Sequence, residues 1–188
     1  MLFRSVAGRL HAEVDALGDA RMAADDVARL PYTRAVLAEA LRLYPPAWVL
    51  GRRALTPYQV RGEELPARTI VLMSQYVVQR DARWWPDAAR FMPERWLPGG
   101  SAMDAARPKF SYFPFGAGTR VCIGEQFAWM EGVLALATVS RSWRLDVVAG
   151  HPVIPHPIVT LRAKHGVQVV VRRRNSSNAG GTAERLSS

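Results

Sequence analysis

Apolar residues recur at three- and four-residue steps in three parts of the chain, and this spacing predicts amphipathic helices. The first stripe stops at Gly18, a residue type that commonly ends helices. A second helix is predicted from Pro31, which suits a first turn, to the proline pair that ends at Pro46. A third and longer helix is predicted from Glu125 to about Trp143. The first stripe consists of Phe3, Val6, Leu10, Val14 and Leu17.

Between these helices the pattern changes to short apolar runs bounded by glycine and proline, which is typical of strands. Residues 58–60 and 69–72 are predicted to pair as a hairpin, and residues 153–161 and 167–171 are predicted as two late strands. The pattern as a whole predicts a mainly α fold with small β-hairpins (α+β). Two short helices and one long aperiodic meander complete it: residues 25–30, 74–81 and 82–113.

The composition is that of a soluble globular domain, because 49% of the 188 residues are hydrophobic and 22% are charged. No apolar stretch approaches the length of a bilayer span, and the first residues do not form a secretory signal. We therefore expect a cytoplasmic protein without a membrane span. Residues 1–172 are expected to form one partial domain, and the polar residues 173–188 are expected to be a disordered tail.

The net charge is +9, which is compatible with an acidic partner, an anionic lipid surface or nucleic acid. The arginines are scattered along the chain apart from one run, Arg172 to Arg174. A nucleic-acid-binding protein would show clustered arginine with exposed aromatic residues and a known module, and neither is found. A basic solvated surface is therefore favoured over nucleic-acid binding.

Cys122 is the only cysteine, so the chain forms no intrachain disulfide and carries no paired-cysteine zinc or redox site. The four histidines share no spacing that suits a metal. A lone cysteine is by default a small buried hydrophobic residue. Its neighbours alter that interpretation, because Cys122 closes a glycine-rich loop just before the helix predicted from Glu125.

The glycine-rich loop matches neither of the common phosphate-binding loops, since Gly118 and Gly124 lack the following Lys and the GxGxxG spacing is broken by Val121. It suits a thiolate site instead, because a helix N-terminus stabilises negative charge. Glycine lets the backbone come close to a flat cofactor. The residues proposed for this role are Gly116, Gly118 and Gly124, with Phe115 as an aromatic wall and Arg120 as the partner of an anionic group.

The loop sequence FPFGAGTRVCIG resembles the haem-binding signature of the cytochrome P-450 family, FxxGxRxCxG, at every fixed position. The resemblance implies that Cys122 is the axial thiolate ligand of the iron in haem b. It also implies that Arg120 and Arg52 pair with haem propionates, with Arg53 as the alternative to Arg52. It places the chain in the C-terminal, proximal portion of that fold.

Two further motifs match the family. Glu39 and Arg42 form an ExxR pair on one helix face, and Arg95 lies in a PERW segment that resembles the family's PERF, with Trp96 where Phe is usual. In the family these three charged residues form a buried triad beneath the cysteine loop. We therefore expect Glu39, Arg42 and Arg95 to support haem binding structurally rather than to act in catalysis.

The resemblance extends from about Arg9 to Arg174 and implies a haem-thiolate monooxygenase that oxidises an apolar organic substrate with O2. Reducing equivalents would come from an acidic ferredoxin or flavodomain. The family's distal helix with its acid–alcohol pair has no counterpart in the sequence, so no catalytic residue beyond Cys122 is identified. We expect a truncated or split member, and the alternative is a haem-binding remnant or sensor without monooxygenase activity. Segments equivalent to residues 47–50 and 164–166 are implied to approach the substrate pocket.

Overall fold

A computed structural model of the chain describes residues 2–18, 20–103 and 106–174. It contains three substantial helices, α1 (Leu2–Asp15), α2 (Pro31–Leu43) and α4 (Glu125–Ser142), and one short helix, α3 (Gln75–Val78). All four were predicted within a few residues of these bounds. The predicted short helix at residues 25–30 is a 3-10 helix, Ala24–Arg29.

The helix ends follow from local chemistry. Gly18 takes a φ of +73° just beyond α1, a conformation that favours glycine. Pro31 occupies the first turn of α2, where its missing N–H leaves no hydrogen bond unmade. Ser74 caps α3, since its hydroxyl accepts a hydrogen bond from the amide of Val77 over 3.3 Å.

The core lies where α1, α2 and α4 meet. Helices α2 and α4 are in close contact at Gly132 of α4, because a Cβ there would lie 2.7 Å from Cδ2 of Leu37 on α2. The apolar stripes identified in the sequence therefore face one another, and the second half of α2 carries Glu39 and Arg42, which are described below. The buried members of this core are Leu10, Val14, Leu30, Tyr32, Val133 and Ala137.

The strands form four separate two-stranded antiparallel sheets. The hairpin predicted between residues 58–60 and 69–72 is wrong. Strand β2 (Tyr58–Val60) pairs with β3 (Glu63–Leu65), and β4 (Ile70–Met73) pairs with β1 (Leu50–Arg53). The reason is the turn between β2 and β3, where Arg61 and Gly62 both have positive φ, as a tight two-residue hairpin turn requires.

The C-terminal strands also differ from the prediction. Residues 153–161 are not one strand, since β6 (Pro155–Pro157) turns back onto β7 (Leu161–Ala163). Strand β5 (Trp143–Val147), directly after α4, was not predicted and pairs with β8 (Val169–Arg173).

The expected tail boundary needs correction as well. Arg173 lies in β8, and Arg174 Nη2 contacts Asp15 Oδ2 at 2.7 Å, so the folded part continues to residue 174. The predicted disorder of residues 175–188 lies outside the described residues.

Candidate functional site

The cysteine loop, residues 113–124, leads from the meander into α4. Its backbone folds back on itself, because the amide of Cys122 donates a hydrogen bond to the carbonyl of Phe115 over 2.9 Å. The carbonyl of Cys122 accepts from the amide of Glu125 over 3.3 Å, which joins the cysteine to the first turn of α4. The thiol is free and exposed. The chain thus presents an accessible sulfur at the positive end of an 18-residue helix.

Glycines leave the backbone around this sulfur open. Gly116 and Gly118 have φ values of +77° and +71°, a region that favours glycine. A Cβ at Gly116 would lie 3.4 Å from Cδ1 of Leu50, so β1 lies directly against this part of the loop. A Cβ at Gly124 would lie 3.8 Å from the sulfur of Cys122. Of the three predicted glycines, Gly124 therefore lies beside the sulfur, whereas Gly116 lies against β1.

The aromatic residue predicted as a wall of the site stands on a second aromatic ring. The ring of Phe115 lies 5.7 Å from that of Trp129 on α4, at an interplanar angle of 58°. Trp129 is buried, as expected for a core residue. The guanidinium of Arg34 lies 4.3 Å from the centroid of the Trp129 ring, which adds a cation–π contact. This stack supports Phe115 beside the cysteine.

Two arginines predicted to meet propionates are exposed and lie on different segments. Arg120 lies in the 3-10 helix Gly118–Arg120, two residues before Cys122. Arg52 lies on β1, where side chains alternate between the two faces of the strand. Arg52 shares a face with Leu50, whose side chain reaches the position of Gly116, whereas Arg53 lies on the opposite face. This alternation favours Arg52 over Arg53 as the residue directed towards the cysteine loop.

The predicted charged triad is assembled and buried. Arg42 donates two hydrogen bonds to Glu39, from Nε to Oε2 and from Nη2 to Oε1, both over 2.8 Å. Nε of Arg95 lies 3.4 Å from Glu39 Oε1. The side chains of Glu39 and Arg42 are fully buried and that of Arg95 is 3% exposed. Burial lowers the pKa of Arg95 from its ordinary value, and the neighbouring Glu39 opposes that shift.

Glu39 accepts two further hydrogen bonds that the sequence motifs did not reveal. The indole N–H of Trp96 donates to Oε2 over 2.9 Å, and the amide of Met92 donates to Oε1 over 2.9 Å. Trp96 is the residue noted as a departure from the family's usual Phe, and a Trp, unlike a Phe, has an N–H donor. Trp85 and Tyr112 surround it at centroid distances of 5.6 and 4.5 Å. The carboxylate therefore has five donors.

Gln79, which sequence reasoning missed, connects the triad to the cysteine loop. Its side-chain amide donates to the carbonyls of Leu41 and Arg42 over 3.0 and 3.1 Å, and its Oε1 accepts from the amide of Phe113 over 2.9 Å. Its backbone carbonyl accepts from Nη1 of Arg42 over 2.8 Å. Gln79 is fully buried. No local pattern marks it, because its partners lie far from it along the chain.

The segments expected to approach a substrate pocket, residues 47–50 and 164–166, lie near opposite ends of β7. Residues 46–48 lie against the turn between β6 and β7, since the amide of Leu161 donates to the carbonyl of Pro46 over 2.9 Å. The turn at residues 164–166 lies at the other end of β7, where the amide of Lys164 bonds to the carbonyl of Ile154. The turn at residues 158–160, rather than 164–166, therefore neighbours the segment before β1.

The residues around Cys122 fit the haem implied by the sequence motif. They combine an exposed thiol, open glycine backbone, exposed cations, and the exposed apolar side chains of Val121 and Ile123. Such a set suits a planar apolar ring that has a central metal and anionic edges. Within the described ranges no group of three or more His, Cys, Asp or Glu residues could hold a metal ion. No helix among the described residues has both the length and the apolar character needed to cross a bilayer.

Comparison with known proteins identifies a family. The family model for cytochrome P-450 matches residues 3–169. Cyclooctatin synthase of Streptomyces melanosporofaciens is 43% identical over 155 residues, which are 82% of this chain and 33% of that protein. Pentalenene oxygenase of Streptomyces avermitilis is 38% identical over 157 residues, 83% of this chain and 34% of that protein. The chain thus spans about one third of the length of the curated relatives it matches.

Solved structures agree in fold. A crystal structure of a cytochrome P-450 (CYP102L1) matches with a TM-score of 0.80 and 33% identity, over 91% of this chain and 39% of that one. The retinoic acid-bound cyanobacterial CYP120A1 matches with a TM-score of 0.84 and 27% identity, over 92% and 40%. Members of this family hold haem through a cysteine thiolate. The chain belongs to the cytochrome P-450 family.

Proposed function

We propose that the chain is the haem-binding part of a haem-thiolate monooxygenase and that Cys122 is the axial ligand of the iron of haem b. The observation that carries this proposal is the exposed thiol at the start of α4, in a loop whose glycines leave the sulfur uncovered. The positive N-terminal end of α4 would stabilise the negative charge of an iron-bound thiolate. When bound, the haem supplies the oxygen-activating chemistry that oxidises an organic substrate.

The remaining predicted residues hold the cofactor or support its loop. Arg120 and Arg52 bind the haem propionates through charge-assisted hydrogen bonds, and Phe115 covers one side of the thiolate. Gly116, Gly118 and Gly124 let the backbone approach the ring. Gln79 connects the buried cluster of Glu39, Arg42 and Arg95 to the loop, because its carbonyl accepts from Arg42 and its side chain accepts from the amide of Phe113.

The proposed substrate is an apolar small molecule, and the proposed electron donor is an acidic ferredoxin or flavodomain. The net charge of +9 supports the second inference, because opposite charge speeds the association of two proteins. Electron transfer to the chain should therefore slow as ionic strength rises, as stopped-flow reduction would measure. A reduction rate independent of salt would contradict this choice of partner.

A second candidate function is haem binding without monooxygenase activity, as in a remnant or a sensor. The observation that favours it is the site itself, since the exposed thiol of Cys122 and the loop glycines serve haem binding and specify no particular reaction. The two candidates differ in turnover. A monooxygenase consumes O2 and reducing equivalents in proportion to product, whereas a sensor binds haem without forming product.

The test of both is the absorption spectrum of the reduced, CO-bound chain after reconstitution with haemin. The wild type should show a thiolate-type Soret band that Cys122→Ser abolishes. Thr119→Ser, an exposed change in the same loop, should leave it intact. A thiolate band that survives in Cys122→Ser would refute the ligand assignment. Turnover assays on the reconstituted wild type, with an added electron donor, then separate the two candidate functions.

The propionate assignment has its own matched pair of variants. Arg52→Ala should weaken haem retention several-fold, because it removes a cation from the face of β1 that meets the cysteine loop. Arg53→Ala removes the same charge from the opposite face and should change retention little. Transfer of haem to apomyoglobin measures both rates, and equal effects would contradict the assignment of Arg52.

A further inference from the structure

Both backbone groups of Cys122 are hydrogen-bonded, and one tryptophan contacts both partners. The amide of Cys122 donates to the carbonyl of Phe115 over 2.9 Å, and its carbonyl accepts from the amide of Glu125 over 3.3 Å. The ring of Trp129 lies 5.7 Å from that of Phe115. Its indole N–H donates to Oε1 of Glu125 over 3.4 Å, which is a long contact. The side chain of Trp129 therefore contacts the two residues that fix the backbone of the cysteine.

Trp129 is in turn contacted by an arginine of another helix. The guanidinium of Arg34, on α2, lies 4.3 Å from the centroid of the indole ring. The indole is 8% exposed, whereas Arg34 is exposed. A planar guanidinium is attracted to the face of an aromatic ring, and Trp binds it best. The Trp129 ring is thus held by a contact that comes from outside the cysteine loop and outside α4.

The close approach of α2 to α4 makes this contact possible. Leu37 lies three residues after Arg34, and Gly132 lies three residues after Trp129, so the two contacts lie on neighbouring turns of the same helix faces. A Cβ at Gly132 would lie 2.7 Å from Cδ2 of Leu37. The absence of a side chain at residue 132 therefore lets α2 come near enough for its arginine to reach the indole.

The position of the Cys122 backbone limits where its sulfur can lie, because a single Cβ joins the two. A thiolate ligand pushes electron density onto iron, and this donation favours the ferric state over the ferrous state. Donation weakens when the sulfur is held less firmly. Side chains that fix the backbone of the cysteine therefore affect the equilibrium between the two oxidation states.

We propose that Trp129 and Arg34 are positioning residues for the thiolate. The arginine holds the indole, the indole holds Phe115 and Glu125, and these two hold the backbone of Cys122. This inference rests on the proposed function, because it needs Cys122 to be the ligand. The two residues act through the backbone of the cysteine and not on the substrate.

The first experiment measures amide hydrogen exchange in the 188-residue chain and needs no haem. Arg34→Lys keeps the charge and removes the planar group that stacks on the indole. Exchange at the amides of Cys122 and Glu125 should speed up about two- to fivefold, which corresponds to a cation–π contact of about 0.5–1 kcal/mol. Trp129→Leu should speed it up further. Unchanged exchange at both amides in both variants would overturn the proposed fixing of the cysteine.

A second arginine–tryptophan pair provides the matched control. The guanidinium of Arg83 lies 5.5 Å from the ring of Trp84, on the segment that follows α3. Arg83→Lys makes the same chemical change at this pair and should leave exchange at Cys122 and Glu125 unaltered. Equal acceleration by Arg83→Lys and Arg34→Lys would contradict a specific role for Arg34.

The second experiment measures the reduction potential of the chain reconstituted with haemin, by redox titration. Arg34→Lys leaves the charge in place, so a change reports the position of the thiolate. Weaker donation should raise the potential, with an equilibrium constant for reduction about two- to fivefold larger, since the coupling cannot exceed the energy of the lost contact. Trp129→Phe keeps a ring for the cation and should shift the potential less than Trp129→Leu. Arg83→Lys should leave it unchanged.

The outcomes separate positioning from a merely structural role and from the proposed function. A general loss of stability lowers the urea midpoint and leaves the potential of the folded, haem-loaded chain unaltered. Faster exchange with an unchanged or lowered potential would therefore overturn the role at the thiolate. Because Arg34 is exposed, its variant tests the proposal even if Trp129→Leu does not fold.

A wild-type chain that takes up no haem would overturn the proposed function and the role at the thiolate with it. The exchange result would still decide whether the two side chains fix the backbone of Cys122.

Discussion

Replacing Glu39 by Gln tests the buried cluster most directly, because the change keeps the shape of the side chain and removes its charge. Oε1 accepts from three donors and Oε2 from two. In the least damaging orientation, the NH2 group of the new amide takes the place of Oε2 and faces the N–H donors of Arg42 and Trp96. Two buried donors then lose their acceptor at about 1–3 kcal/mol each.

The removal of the charge also lowers the free energy of unfolding. Arg42 and Arg95 remain almost completely buried without an anion, and breaking one partner out of a buried ion pair costs about 3–5 kcal/mol. The cost of the unpaired donors and the cost of the broken ion pair are two estimates for the same interaction. Both are consistent with a loss of about 3–5 kcal/mol in the free energy of unfolding. That is a large part of the total stability of an ordinary domain.

Urea unfolding followed by tryptophan fluorescence measures this loss, with the slope of the transition as a check on two-state behaviour. Asp146→Asn is the control, since it neutralises a partly exposed carboxylate paired with two exposed arginines, Arg144 and Arg172, and should leave the transition nearly unchanged. A loss below about 1 kcal/mol for Glu39→Gln, at an unchanged slope, would refute the reasoning.

Three further predictions concern other parts of the molecule. Gln79→Leu leaves two helix carbonyls and one loop amide buried without partners, so urea unfolding should show a loss of about 3 kcal/mol or more, and a loss below about 1 would contradict it. Gly132→Ala places a Cβ 2.7 Å from Leu37 and should lower the free energy of unfolding by about 1–3 kcal/mol, as thermal unfolding would measure. Gly8→Ala, in open space on α1, should instead raise the free energy of unfolding by up to about 1 kcal/mol. Similar effects of both changes would be inconsistent with the packing described. Burial raises the pKa of Tyr32 from 10.0 to about 12, so the stability it contributes is present below pH 10 and is lost as the pH rises towards 12. Tyr32→Phe should remove this part of the loss of stability at alkaline pH, as urea unfolding at a series of pH values between 10 and 12 would show.

The helices could be predicted because their signals are local. The spacing of apolar residues sets the buried face, and Pro31, Gly18 and Ser74 act within one turn of the helix ends they define. The cysteine loop could be predicted equally well, since its glycines, its arginine and Cys122 lie within nine consecutive residues, 116–124. The α+β class and the family followed from these two kinds of signal.

The strand pairings could not be predicted with the same success. A short apolar run carries little information about its partner, and β1 pairs with β4 across the intervening β2–β3 hairpin. The positive φ of Arg61 has no strong sequence signal, although Gly62 beside it does. Strand β5 was missed because no glycine or proline separates it from α4, so no breaker marks the start of a strand.

Sequence by itself determined the helices, the order of the motifs and the identity of the charged residues in the cluster, because each depends on neighbours within a few positions. Only the tertiary structure decided which groups complete them. The fourth and fifth donors to Glu39, the bridge through Gln79 and the attachment of the turn between β6 and β7 to Trp48 all join residues far apart in the chain. A hydrogen bond requires two atoms within about 3 Å, and for such distant residues the packing of α1, α2 and α4 brings them together.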